Sequence, residues 1–329
     1  VVATIDALEN PDLKWQNTFQ HNIGLDFSLF ENRFSITGNW YRKITKNSVT
    51  DMAIPLSNGF KSYVGNEGDI LNTGFDLSLS LYLIRNARRG ISWNVRFSTS
   101  HNKNKLLTLS DAMKAKMESL SGNQIYGLFY VYGEGESIDA IYAVRTVGVD
   151  PSTGKVIYLY KDGTQSYKFD QSQRVVVGDR MPKVDGRIST SFIWKNLSVY
   201  AGFTLRLGGQ KYNETYRNKV ENVNLYNNVD KRVFTGRWSK PGDNAIYYGL
   251  RENNTYMTDR YIQDESTLSC NNLSLTYNFP NKLTKKWGFE RLSVNASISN
   301  LFYISTVKQE RGTSYPYAIQ PTFGISCAF

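Results

Sequence analysis

The stretch Gly148-Val-Asp-Pro-Ser-Thr-Gly-Lys-Val156 gathers glycines, hydroxyls and a lysine, the ingredients of a loop that cradles phosphate. Its spacing is wrong for that chemistry. A phosphate loop needs four residues between its glycines and Ser or Thr directly after the Lys. Here five separate Gly148 from Gly154, and Val156 follows Lys155. Asp150-Pro151 with Thr153-Gly154 reads instead as a turn. Asp150, Asp162 and neighbouring carbonyls offer oxygen ligands, but the alternating Asp/Asn spacing of a calcium loop is missing. The two histidines, His21 and His101, make no metal-ligand pair. Cys270 and Cys327 are too few for a disulfide framework and read as small apolar side chains. No Ser-His-Asp set or nucleophile elbow can be assembled. The expectation is a protein without catalytic residues, metal or cofactor.

The irregular parts of the chain are instead rich in rings. One long region carries Tyr126, Phe129, Tyr130 and Tyr132, followed by Tyr158 and Tyr160. Another carries Tyr212, Tyr216, Tyr226, Trp238, Tyr247, Tyr248, Tyr256 and Tyr261. Such amphipathic rings suit sugar faces and peptide side chains. They equally suit large loops that pack on one another and on a partner. Both readings stand for these tyrosines and for Phe129, whereas Trp238 reads as structural.

The elements that must hold these loops are strands. In the closing stretch, Tyr315, Tyr317, Ile319, Pro321, Phe323, Ile325, Cys327 and Phe329 alternate with Ala318, Gln320, Thr322, Gly324, Ser326 and Ala328. One face is apolar and the other small or polar, a period of two. Globular strands usually stop after about 5–6 residues, whereas a tilted strand crossing a bilayer needs about 9–11.

The pattern recurs along the chain. Its apolar sets run Phe19–Leu29, Phe34–Trp40, Phe75–Leu83, Ile91–Phe97, Ile188–Trp194, Leu197–Leu207, Leu273–Phe279 and Leu292–Ile298. With the closing stretch that makes about nine strands. Their apolar faces carry no charge in the middle; Arg42 and Lys103 share that parity only toward the loop ends, where they can snorkel. Arg96, Arg206, Asp26 and Asp76 fall on the opposite face. Lys or Arg facing lipid costs roughly 2–4 kcal/mol at the bilayer midplane, so this sorting has an energetic reason.

Connections sort as well. Short ones follow Phe30, Ile84, Lys195 and Phe279, and long ones occupy about 50–68, 106–185, 209–266 and 304–315. Short turns at one end and long loops at the other mark a bacterial outer-membrane barrel, with long loops outside the cell. The fold class expected is all-β: a transmembrane antiparallel β-barrel segment, part of a larger barrel, with long extracellular loops. A soluble β-sandwich has no reason to sort its loops this way.

Composition agrees. The 329 residues include 22 Tyr, 17 Phe and 6 Trp, as interface girdles and binding loops require. No run of about 18 apolar residues exists, so helical spans are excluded. The net charge of +10 is dispersed apart from short clusters at Arg85–Arg89 and Lys282–Lys286. No nucleic-acid module accompanies it. The opening VVATIDALENPDLKW lacks the basic and apolar regions of a secretory signal; on a barrel reading the native N-terminus is expected to lie upstream.

Several runs together resemble one family. NPDLKWQNTFQHNIGLDFSLFENR resembles an NP-x-LKWE-x-T run followed by N-x-GLDF, and NEGDILNTGFDLSLS resembles an N-x-G-x-x-x-N-x-GFE strand entry. VGVDPSTGK with KDGT, GRWSKPGDNA, DESTLSCNNLSLTYNFP, NLF at Asn300 and the YP…TFGISCAF ending follow in the family's order. The chain is similar to the C-terminal barrel portion of SusC-like (SusC/RagA) TonB-dependent outer-membrane transporters. Ser269-Cys270 departs from the family's Leu-Arg.

The resemblance implies a barrel closed around an N-terminal plug outside this chain. It implies import of glycan oligomers or peptides, with a SusD-like surface lipoprotein as partner and TonB as the energy source. It also implies an assembly signal in the terminal strand at Phe323, Ile325 and Phe329. The alternatives are a passive porin or adhesin barrel and a soluble β-sandwich binding module.

Overall fold

The computed structural model describes residues 8–53, 59–60, 62–122, 131–224, 226, 229–250, 256–308 and 319–329. Its frame is one antiparallel sheet. In chain order the strands are β1 (Asn17–Leu29), β2 (Phe34–Ala53), β3 (Ser62–Asn86), β4 (Ile91–Leu109), β10 (Val184–Trp194), β11 (Leu197–Tyr212), β12 (Ile262–Asn278), β13 (Arg291–Ser305) and β14 (Gln320–Ala328). Each pairs with the next in this order, so nine strands form a continuous wall among the described residues. This is the strand set that the alternation marks.

The register explains why the wall has two chemically distinct faces. Phe27 lies opposite Ile36, Ile36 opposite Leu79, Leu79 opposite Phe97, Phe97 opposite Ile188, and Ile188 opposite Phe203. The adjacent row of the other face runs Asp26, Thr37, Ser78, Ser98, Arg187 and Thr204. Period-two alternation in each strand becomes a lateral apolar band only because the registers agree. A one-residue slip in any pair would interrupt it.

Nothing among the described residues covers that band. Ile23 is 69% exposed and Ile325 74%, and Leu79 and Phe203 are only partly buried. A monomer rarely exposes so large an apolar surface to water. The terminal side chains Phe323 and Phe329 are likewise exposed, with the Phe329 ring 4.9 Å from that of Phe289.

Strands run well past the alternating segments. β3 spans 25 residues and β2 spans 20, twice what a bilayer needs. Much of the expected 50–68 connection is therefore paired strand, as are the first residues of the 209–266 region. Beyond lipid, no solvent difference between faces enforces alternation, while the backbone pairing continues. β12 also passes through a register shift at Asn271, between Cys270 and Asn272, which moves its apolar parity from Leu268 and Cys270 to Leu273 and Leu275.

The buried core sits above the wall, in the loops. Between β4 and β10 lie the helix α1 (Asp111–Gly122) and two small sheets. The first pairs β5 (Ala140–Ala143) with β9 (Val175–Asp179); the second joins β6 (Arg145–Val149), β7 (Val156–Leu159) and β8 (Gln165–Ser166). Short connections close the opposite end: Phe30, Glu31 and Asn32 take left-handed φ values of 52–63° at the β1–β2 turn. The β12–β13 connection contains the short helix α2 (Asn281–Thr284).

Candidate functional site: the polar wall and the loop assembly

The polar face presents two concavities. One, of about 350 Å³, is lined by Asn39, Asp76, Ser78, Ser98, Ser100, Asp185 and Arg187. The other, of about 440 Å³, is lined by Arg96, Arg187, Ser189, Tyr200, Thr204, Asn271 and Asn272. Asn94 Nδ2 donates to Ser80 Oγ at 3.1 Å, Tyr41 donates to Asn102 at 3.2 Å, and Arg206 pairs with Asp185 at 3.3 Å. These groups offer hydrogen bonds to water or polar solutes, and no cluster of three or more His, Cys, Asp or Glu able to hold a metal ion occurs among the described residues. His101 Nδ1 lies 2.7 Å from the Lys183 carbonyl oxygen. Cys270 and Cys327 are free thiols, the first buried and the second exposed.

Above the wall, the two aromatic regions meet. Ile141 and Ala143 of β5 pack with Tyr212, Met257 and Tyr261, against Tyr216 and Val177. Val144, Val156, Tyr158 and Phe169 pack with Tyr248, against Tyr160 and Tyr256. The Phe169 and Tyr256 rings stack 4.1 Å apart. Tyr158, Tyr212, Tyr247 and Tyr248 are thus buried. In this structure these four rings pack within the loops. Tyr132, Tyr160, Tyr216 and Tyr256 are half-buried. Tyr126, Phe129 and Tyr130 lie outside the described residues. The open rings are others: Tyr226 is 98% exposed, Phe234 71% and Tyr167 57%.

A buried ion pair organises the second region. Glu221 is fully buried and Arg260 nearly so, with guanidinium nitrogens on both carboxylate oxygens, and Tyr261 donates to Glu221 at 2.9 Å. Burial and then the Glu221 charge push the phenols of Tyr261 and Tyr248 well above the ordinary tyrosine range. Arg237 donates to the carbonyls of Val220, Val233 (3.0 Å) and Tyr248 (2.9 Å), satisfying backbone acceptors in two short helical turns and in the segment beyond them. Asn213, also buried, ties three segments: it donates to Gln263 (2.9 Å) and to the Lys308 carbonyl (3.1 Å) and accepts from the Tyr216 N–H (2.9 Å). Sequence reading missed Glu221, Arg260 and Asn213. Only the density of tyrosines around them hinted at a packed assembly.

The Asp150 turn is a turn in the structure, and it is a docking element. Asp150 accepts from the Thr153 hydroxyl (2.6 Å), the Ser152 N–H (2.9 Å) and hydroxyl, and the Tyr167 hydroxyl (2.8 Å). Those donors hold its carboxyl far below the usual range. Both of its oxygens are engaged by hydroxyl or N–H donors of the same loop. Gly154, at φ 74°, lies against the Trp238 indole, whose Nε1 donates to the Pro151 carbonyl at 2.8 Å.

Comparison with known proteins returned consistent likenesses. TonB-dependent receptor P39 of Formosa agariphila is 26% identical over 349 residues, covering 90% of this chain and 32% of that protein. TonB-dependent receptor SusC of Bacteroides thetaiotaomicron is 22% identical over 308 residues, covering 91% and 30%. Among solved structures, the RagAB peptide transporter aligns with a TM-score of 0.80 at 22% identity, over 99% of this chain and 36% of that one. No family model matches. The chain spans about a third of the length of the curated relatives it matches.

Proposed function

We propose, from the premise that this chain is a barrel segment of the SusC-like TonB-dependent type, that it walls the lumen of an outer-membrane importer. The apolar band of the nine strands faces lipid, and the polar face lines an enclosed path. The strands that complete the barrel, and the plug inside it, belong to the part of the protein outside this chain. The observation that carries this reading is the register, which sets apolar residues in continuous lateral rows across strands far apart in sequence.

The cargo is a glycan oligomer or a peptide. One solved relative is named a peptide transporter, and the polar concavities with Asp76, Asp185, Arg96 and Arg187 suit hydrogen-bonding solutes. The packed loops form a rigid surface on which a SusD-like lipoprotein docks. Among the described residues, the open rings Tyr167, Tyr226 and Phe234, together with the half-buried Tyr132, Tyr160, Tyr216 and Tyr256, are aromatics available to meet partner or cargo. TonB supplies energy through the upstream portion. Nothing in this role requires catalysis.

Uptake of labelled oligosaccharides and peptides by cells expressing the full-length protein tests the proposal. Uptake that stops when TonB is deleted supports a coupled importer. Uptake that continues without TonB contradicts it and favours a passive porin.

A further inference from the structure

The apolar face of β1–β4 changes character at one level. The row Ile23, Trp40, Phe75 and His101 lies in register across the four strands. Trp40 and Phe75 are exposed, and the Phe75 and His101 rings are 5.7 Å apart. One row nearer the loops, the register sets His21, Arg42, Thr73 and Lys103 side by side. Lys105 follows on the same face of β4. Lys46 follows on that face of β2, its ammonium 6.0 Å from the Phe19 ring centroid. Arg42, Lys46, Lys103 and Lys105 are all exposed, and no ion pair among the described residues engages any of them. Asp69, on β3 above this level, accepts from the Asn47 N–H at 3.0 Å instead.

The opposite half of the wall lacks this feature. Toward the loop ends of β10–β13 the same face carries Val184 beside Leu207, and Leu205, Leu268 and Ile304 in one row. Among the described strand residues, the cations of this face are therefore confined to one sector. Adjacent strands lie about 4.8 Å apart, so Arg42 and Lys103, separated by Thr73, stand about 10 Å apart at the backbone. Their side chains can converge on one headgroup.

We infer that the β1–β4 sector binds the phosphates of an anionic lipid of the outer leaflet, an inference that rests on the barrel reading above. Aromatic rings belong at the edge of the hydrocarbon and basic side chains just beyond it, where they meet anionic headgroups. Here the Trp40–Phe75 row lies directly on the membrane side of Arg42 and Lys103. Acyl chains would then run along Ile36, Leu79 and Phe97. That arrangement favours a lipid-borne phosphate over a free one.

The full-length protein, extracted in detergent, is loaded with phosphorylated lipopolysaccharide or its dephosphorylated form, and bound lipid is read by native mass spectrometry. Wild type should retain the phosphorylated form, with about tenfold less of the dephosphorylated form. The R42Q/K103Q/K105Q variant should lose a similar factor, while K282Q/K285Q/K286Q at the other end should match wild type. Equal retention by the first variant, equal retention of the dephosphorylated lipid, or displacement by inorganic phosphate at matched concentration overturns the inference. Heat-modifiable migration reports barrel assembly separately: if wild type lacks it, the barrel reading falls and takes this site with it.

Discussion

Gly154 packs directly beneath the indole of Trp238, joining two turns whose hydrogen-bonded residues Pro151 and Trp238 are 87 positions apart. A Cβ at position 154 would lie 2.5 Å from the Trp238 ring, and the left-handed φ of 74° already disfavours any other residue. The Gly242 N–H also donates to the Pro151 carbonyl, at 2.9 Å. Two motifs that look like independent turns in the sequence are the halves of one joint. Gly154→Ala should loosen that joint by about 1 kcal/mol from backbone strain alone, and more from the clash. Limited proteolysis of the loops in G154A, W238A and the double variant checks this. The double variant should be no worse than the more damaging single one, whereas additive damage would mean the two residues act separately.

The Glu221–Arg260 pair should be the most sensitive point of the loop assembly. Both groups are buried, so removing one leaves the other charge without its counter-ion, a loss of about 3–5 kcal/mol. Arg260→Ala and Glu221→Ala should each expose the loops to protease while the membrane-spanning strands stay assembled. Hydrogen exchange that rises only at the substituted segment, with Tyr212 and Tyr248 still protected, would contradict a shared core.

Acid should open the loops before the wall. The Arg232 side chain and the Arg232 N–H hold Asp230 down at about 2 against the opposing effect of burial, and the Thr153 and Ser152 donors depress Asp150 further. Groups with depressed folded values stabilise the fold above the unfolded carboxylate value of about 3.9 and lose that contribution as pH falls toward their folded values. Near-ultraviolet circular dichroism of the tyrosine-rich loops should hold to about pH 5 and fade between about 4 and 2. A loss beginning near neutrality would point to other groups.

Much of the wall was legible because lipid imposes a period. Phe19–Leu29, Ile91–Phe97 and Leu197–Leu207 alternate since each side chain faces one of two solvents. Beyond the bilayer that constraint ends, so the upper halves of β2 and β3 left no pattern although their backbones remain paired. The shift at Asn271 hid the start of β12 for a related reason: one extra residue reverses the parity on either side. Loop function was the least legible. Tyr158, Tyr212 and Tyr248 have a composition suited to ligand contact, but long-range partners decide exposure. Here Val144, Phe169, Met257 and Tyr261 bury them.

Phe329 tests the terminal strand. The residue is 83% exposed, with its ring 4.9 Å from that of Phe289, so packing alone gives little reason to keep it. Deleting it should nonetheless lower the amount of full-length protein in the outer membrane, with unassembled chain accumulating in the periplasm. Normal surface levels would remove Phe323, Ile325 and Phe329 from the role of assembly signal.

The facing of the wall is tested most directly by arginine substitution at neighbouring positions of opposite parity. Leu79→Arg and Val95→Arg place a charge in the apolar band at a cost of about 2–4 kcal/mol near the midplane, whereas Ser78→Arg adds one to the polar face. Heat-modifiability of membrane-extracted protein should show assembly lost for L79R and V95R and retained for S78R. Equal assembly at all three positions would mean that the apolar rows do not face lipid.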